Sequence, residues 1–144
     1  MAVIGAREAA ARIRAIPATV RAEIQEAVEQ VADQILIDMK GLVPRDSAAL
    51  AAALTKAAIE GGLGYRIGLP TEALARKFFY ARFLEEGTKG GLVSFRRAGS
   101  AVPHTMRVPA RARRPFMEPA LDAGKRDLVA AIGRAVNDGM RRAR

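Results

Sequence analysis

From Ala18 to Lys40 the apolar residues Val20, Ile24, Val28, Val31, Ile35 and Met39 recur at steps of three and four. Glu23, Glu26, Glu29 and Asp33 fall largely off that line. With about 3.6 residues per turn, such spacing gathers the apolar positions on one face and predicts an amphipathic helix. Gly41 and Pro44 supply its stop. Residues 5–16 predict a shorter helix with Ile13 and Ile16 on one side. Pro17 cuts it, since proline lacks an amide hydrogen and crowds the preceding turn. A second long stripe, Leu121, Leu128, Ile132, Ala135, Val136 and Met140, predicts a C-terminal helix over 119–140. Pro115 and Pro119 suit its start, Glu118 its positive dipole end and Arg141, Arg142 and Arg144 its negative end.

The middle of the chain reads less evenly. Asp46-Ser47 has the form of an N-cap, and the Ala-rich run Ala48 to Leu54 favours helix on propensity. Gly61-Gly62-Leu63-Gly64 is a turn, and Tyr65-Arg66-Ile67-Gly68-Leu69 alternates as a strand before Pro70 ends it. A strand needs a partner, and the nearest one is the same Ala-rich run, so residues 48–60 carry a conflict between helix propensity and strand pairing. Thr71-Glu72 opens a further helix through Leu74, Phe78, Phe79 and Phe83 to Gly87. Its cluster Phe78, Phe79, Tyr80 and Phe83 is read as core filling, because helical spacing accounts for most of it without a ligand. Leu92-Val93-Ser94-Phe95 and Thr105-Met106-Arg107-Val108 predict a long hairpin around Arg96-Arg97-Ala98-Gly99-Ser100.

Composition narrows the chemistry. The chain has 144 residues, half of them hydrophobic, enough for one core in one domain spanning 1–144. Trp is absent and aromatics are 5%, so aliphatic residues must fill that core. The absence of Cys excludes disulfides, thiol catalysis and Cys-ligated zinc, and the single His104 excludes a His-rich metal site within one subunit. No cofactor is expected. Residues 2–20 lack the apolar core of a signal peptide, and no run approaches the ~20 apolar residues of a membrane span.

Charge changes the picture more. The net charge is +9, yet residues 1–60 carry 7 basic and 8 acidic groups while residues 61–144 carry 17 and 7. Between Gly87 and Met117 lie seven basic residues, Lys89, Arg96, Arg97, Arg107, Arg111, Arg113 and Arg114, and no acidic one. Such an arm can take phosphates through bidentate Arg contacts, or carboxylates of a neighbouring subunit. No aromatic interleaving gives it a base-stacking platform.

Readings as an enzyme find little. The Gly61–Gly64 turn precedes a strand, whereas a phosphate cradle follows a strand and opens a helix. Glu85 and Glu86 are adjacent carboxylates, but helical neighbours point about 100° apart, so capping or salt bridging with Arg82 or Lys89 is the better reading. His104 lacks a Ser–Asp constellation. The chain is read as a non-enzyme.

Two phrases frame the arm: Tyr80-Ala81 with Glu85/Glu86-Gly87-Thr88 before it, then Pro109-Ala110, Arg114-Pro115-Phe116 and Pro119-Ala120-Leu121 after it. In that order they resemble the neck or tail-completion (minor tail, lambda gpZ-like) family of long-tailed bacteriophages. Val43-Pro44-Arg45-Asp46-Ser47-Ala48-Ala49-Leu50 resembles the family's upstream element, with Ser47-Ala48 in place of its usual Thr-Gly. The resemblance spans about residues 20–140. It implies an α+β subunit of a ring, commonly six-fold, that joins connector to tail tube in the virion after assembly in the host cytoplasm. It also implies a strand beginning near Leu50. Tyr80, Glu85, Glu86, Gly87, Thr88, Pro115, Phe116, Pro119 and Leu121 become the motif anchors, and Phe116, Leu121 and the aromatic cluster are expected to hold the arm's ends.

The expected fold is therefore α+β: a small antiparallel sheet packed against a long N-terminal helix and a C-terminal helix, with an extended hairpin arm. Residues 1–17 form an N-terminal extension and 88–114 the basic arm. Expected partners are other copies of the chain, connector or head-closure and tail-tube proteins, and packaged DNA by non-specific contact; no membrane is expected. The alternative is a basic nucleic-acid-binding protein.

Overall fold

The computed structural model describes residues 16–142 apart from 97 and 100. The expected short helix over 5–16 therefore lies almost wholly outside the described residues, as does Arg97. The fold is α+β. Helix α1, Ala18–Leu42, runs 25 residues and buries Val20, Ile24, Val28, Ala32, Ile35 and Met39. The stripe is the expected one, except that Ala32 is buried in full and Val31 only in part. Gly41 lies inside the helix, which ends instead where Val43 turns extended ahead of Pro44.

Both readings of residues 48–60 apply, to successive segments. After a short 3-10 turn at Arg45–Ser47, helix α2 covers Ala48–Ala53, and strand β1 then covers Thr55–Ile59. The strand thus starts at Thr55, and the start near Leu50 is corrected. Leu50 is fully buried from the helix, which places the apolar side of the Ala-rich run in the core before the chain extends. β1 pairs antiparallel with β2, Gly64–Gly68, from Thr55↔Gly68 to Ile59↔Gly64. Lys56 on β1 reaches back to α1, with its Nζ 2.6 Å from Asp33 and 3.1 Å from Glu29. The Gln25 side chain donates to the Gly61 carbonyl across 2.7 Å, so the hairpin turn is tied to the same helix.

The expected single helix from Thr71 to Gly87 is broken. α3, Glu72–Lys77, is capped by the Thr71 hydroxyl, which accepts from the Leu74 N–H. A turn through Phe78–Tyr80 leads into α4, Ala81–Glu86. The break redirects the aromatic cluster and corrects its reading as core. Phe78 is buried and Tyr80 half-buried, but Phe79 and Phe83 are 65% and 50% exposed and meet edge to face at 6.2 Å.

Strands β3, Gly91–Phe95, and β4, His104–Val108, form a second two-stranded antiparallel sheet. The strands therefore make two separate hairpins, and α1 packs directly on the last helix, α5, Met117–Arg142. Small residues set the closest approach, and Leu128, Ile132 and Val136 pack beside them on the cluster that holds Val20, Ile24 and Val28. Ala120, Gly124, Ala135 and Gly139 are the buried positions of α5. A Cβ on Gly139 would stand 2.6 Å from the Val20 Cα, and one on Gly124 would collide with Ile35. Early α1 therefore meets late α5, which makes the pair antiparallel. Leu121 and Met140, read as part of the inward stripe, are 44% and 55% exposed.

Two apolar clusters result. Ile35, Met39, Val43, Leu50, Leu54, Phe78, Ala81, Phe116 and Ala120 form one, beneath the root of the arm. Val20, Ile24, Val28 and Ala135 form the other, against which Leu63 and Tyr65 of the first hairpin pack.

Candidate functional site

The arm begins and ends in a clasp built from the two framing phrases. The Thr88 N–H donates to the Arg111 carbonyl across 2.9 Å, and the Arg111 N–H returns the bond to Thr88 across 3.0 Å. The Thr88 hydroxyl donates to the Pro109 carbonyl at 2.9 Å, and the Arg114 N–H to the Leu84 carbonyl at 2.7 Å. Gly87 allows this approach. Its φ is 73°, and a Cβ would lie 2.8 Å from the Arg111 carbonyl oxygen and 2.9 Å from the Arg113 nitrogen.

Glu85 fastens the far side. Its carboxylate accepts from the backbone N–H groups of Phe116 at 2.9 Å, Met117 at 3.0 Å and Glu118 at 2.8 Å. These are donors of the first turn of α5 that no helical carbonyl can satisfy. A carboxylate there also meets the positive end of the helix dipole. Partial burial disfavours the charge, but the three N–H donors and the nearby Arg113 guanidinium outweigh it, so the carboxyl sits below its ordinary value of 4.5. Arg113 itself pairs with Glu118. Glu86 bridges to Arg82 one turn back at 3.1 Å. The two adjacent carboxylates thus serve capping and salt bridging, the reading preferred from the sequence.

Of the motif anchors, Glu85, Gly87, Thr88 and Phe116 converge on the clasp, with Arg111, Arg113 and Arg114 bound into it through backbone or side chain. Tyr80 packs edge to face on Phe78 at 6.0 Å, and Pro115 is half-buried beside the fully buried Phe116. Pro119 and Leu121 do not join: both are exposed on the first turns of α5, and the expectation that Leu121 anchors the arm is corrected.

Beyond the clasp the hairpin stands apart from the helices. Its register places Val93 beside Met106, Phe95 beside His104 and Gly91 beside Val108 on one face. Phe95 and His104 stack with centroids 5.9 Å apart. The opposite face carries Leu92 beside Arg107 and Ser94 beside Thr105. The first face is apolar, yet Val93, Phe95 and Met106 remain 48%, 45% and 53% exposed. Lys89, Arg96, Arg107, Arg111 and Arg114 are all exposed, and among the described residues none has an ion-pair partner. The cations are strung from root to tip and do not converge on one pocket.

Sequence reasoning missed a second surface. Ile37, Leu42, Pro119, Ala120 and Ala123 line an open groove of about 440 Å³ between the end of α1 and the start of α5, with Asp38 its one charged lining residue. The signal was present as apolar Ile37 and Leu42 off the buried stripe; they are 62% and 46% exposed. Among the described residues no group of His, Asp or Glu side chains could hold a metal, and no helix is long and apolar enough to cross a membrane.

The site is thus a hairpin with an apolar face of Val93, Phe95 and Met106 and a mixed face of Leu92, Arg107, Ser94 and Thr105, fastened at its root by the clasp. No family model, curated protein or solved structure matches the chain.

Proposed function

We propose that the chain is a structural virion protein of a long-tailed bacteriophage. It forms a six-fold ring in the head–tail neck or at the proximal end of the tail and joins the connector to the tail tube. The observation that carries this reading is the clasped arm, on which Val93, Phe95 and Met106 stay about half exposed and Lys89, Arg96, Arg107, Arg111 and Arg114 have no ion-pair partner among the described residues. A two-stranded hairpin alone in water is marginal, so such an arm is suited to order against a neighbour. Heterologous contacts of this kind close rings when their rotation closes. The ordered motifs around the arm and their resemblance to the neck family supply the virion context, and such a subunit needs no catalytic group.

The test is native mass measurement and electron microscopy of the purified protein, alone and mixed with tail tubes over a range of salt. Rings that cap tubes are expected. A strict monomer that never joins tubes at any salt overturns the reading.

The exposed Lys89, Arg96, Arg107, Arg111 and Arg114, with no ion-pair partner among the described residues, favour one second reading, a nucleic-acid-binding protein. It predicts duplex DNA binding whose logarithmic salt slope falls by about 0.9 for each phosphate-contacting cation changed to Ala.

A further inference from the structure

We infer that the apolar face of the β3–β4 hairpin seats in the α1–α5 groove of a second copy of this chain. The inference rests on the ring reading and names the contact that would repeat around the ring. Three observations meet in it.

The first is the uncovered strand face. Val93, Phe95 and Met106 line up through the register, and about half of each side chain stays in water. The second is the groove, where Ile37 and Leu42 are exposed apolar side chains facing Pro119 and Ala123 across a depression of about 440 Å³. Apolar area left open on both surfaces is removed from water when one covers the other. The third is charge. The arm has no acidic residue from Gly87 to Met117, and the single charged side chain lining the groove is the acidic Asp38. The net positive charge of the arm steers it toward a groove whose one charged lining residue is a carboxylate. The two surfaces are different parts of the molecule, so the contact is head-to-tail: each copy offers a hairpin to one neighbour and a groove to the other.

The chain has no cysteine, so introduced thiols report only on themselves. The experiment purifies Met106→Cys and Leu42→Cys separately, mixes and oxidises them, and repeats the oxidation on the double variant. A covalent mixed dimer is expected from the mixture and a ladder of covalent oligomers from the double variant. Ile37→Arg, at an exposed position that leaves the core intact, is expected to weaken self-association about tenfold or more, with a melting temperature unchanged at concentrations where both proteins are monomeric. Oligomers by native mass measurement without any mixed disulfide would overturn the inference and leave the ring reading standing. A protein monomeric at every concentration overturns both. A disulfide closing within one chain of the double variant overturns it by placing the arm on its own groove. Loss of DNA binding in Val93→Ser/Met106→Ser with self-association unchanged overturns it in favour of nucleic acid.

Discussion

Gly87 and Arg111 approach so closely that a Cβ on the glycine would stand 2.8 Å from the arginine's carbonyl oxygen. Both the left-handed φ of 73° and the contact with fixed backbone act against any side chain there. Gly87→Ala is expected to lower stability by about 2 kcal/mol or more in urea unfolding. Protection of the Thr88 and Arg111 amides from hydrogen exchange should fall with it, since those bonds close the clasp. A substitution at Gly99, where φ is positive but nothing lies within 4 Å, should spare the clasp amides.

Glu85 makes stability depend on acidity in a defined direction. Its folded-state value lies below 4.5, so its contribution is complete above the ordinary carboxylate range and is lost as pH falls through the lowered value. Thermal melts from about pH 7 to pH 2 should show the native protein losing more melting temperature on acidification than Glu85→Gln, which has no charge to lose. At neutral pH, Glu85→Ala should cost about 0.5–2 kcal/mol, the usual range for removing an N-terminal helix cap.

Two glycines of α5 should respond to alanine with opposite signs. At Gly133 a Cβ meets nothing within 4 Å, and Gly133→Ala should stabilise by about 1 kcal/mol through helix propensity. At Gly139 the same Cβ lies 2.6 Å from the Val20 Cα, so Gly139→Ala must push the helices apart and should destabilise. Chemical denaturation of the two variants, compared side by side, tests the tight α1–α5 packing directly.

Phe116 is fully buried next to the clasp and belongs to the larger apolar cluster. Phe116→Ala should cost about 3–5 kcal/mol through lost burial and the cavity left behind. Leu121→Ala, at a residue the sequence pattern paired with Phe116 as an anchor, should cost much less because that side chain is 44% exposed. Equal losses for the two would overturn the assignment of the anchor to Phe116.

The contrast between those residues shows which parts of the fold were legible beforehand. α1 was legible because its burial follows the helical period with large aliphatic residues. α5 was legible as a helix and in the middle of its stripe, where Ala135 is buried and Leu128, Ile132 and Val136 pack on the same cluster, but not at its ends, where close helix approach selected Ala120, Gly124 and Gly139 while Leu121 and Met140 stayed outside. A reading that equates large and hydrophobic with inward overlooks the glycines where two helices come closest. The hairpin arm was visible from its two short β-like runs and the Arg96–Ser100 turn between them. The division of residues 48–59 was hidden because two valid local signals overlap there and only the tertiary position of Leu50 separates them. The clasp was half legible: Glu85 was expected to cap, but its target lies 31 to 33 residues downstream, beyond the reach of spacing rules.

The arm's bonds to the body lie at its root, and its strands beyond Gly90 and Ala110 are tied chiefly to each other. Length and wording can therefore drift in that stretch without disturbing the body. Adding one residue to each strand keeps the cross-strand pairs but turns the apolar face to the opposite side beyond the insertion, whereas adding one to a single strand leaves a bulge or puts the pairs out of phase. The stretch between Gly90 and Ala110 thus behaves as a cassette: one contiguous exchange could replace the whole contact surface while the same two helices carry it.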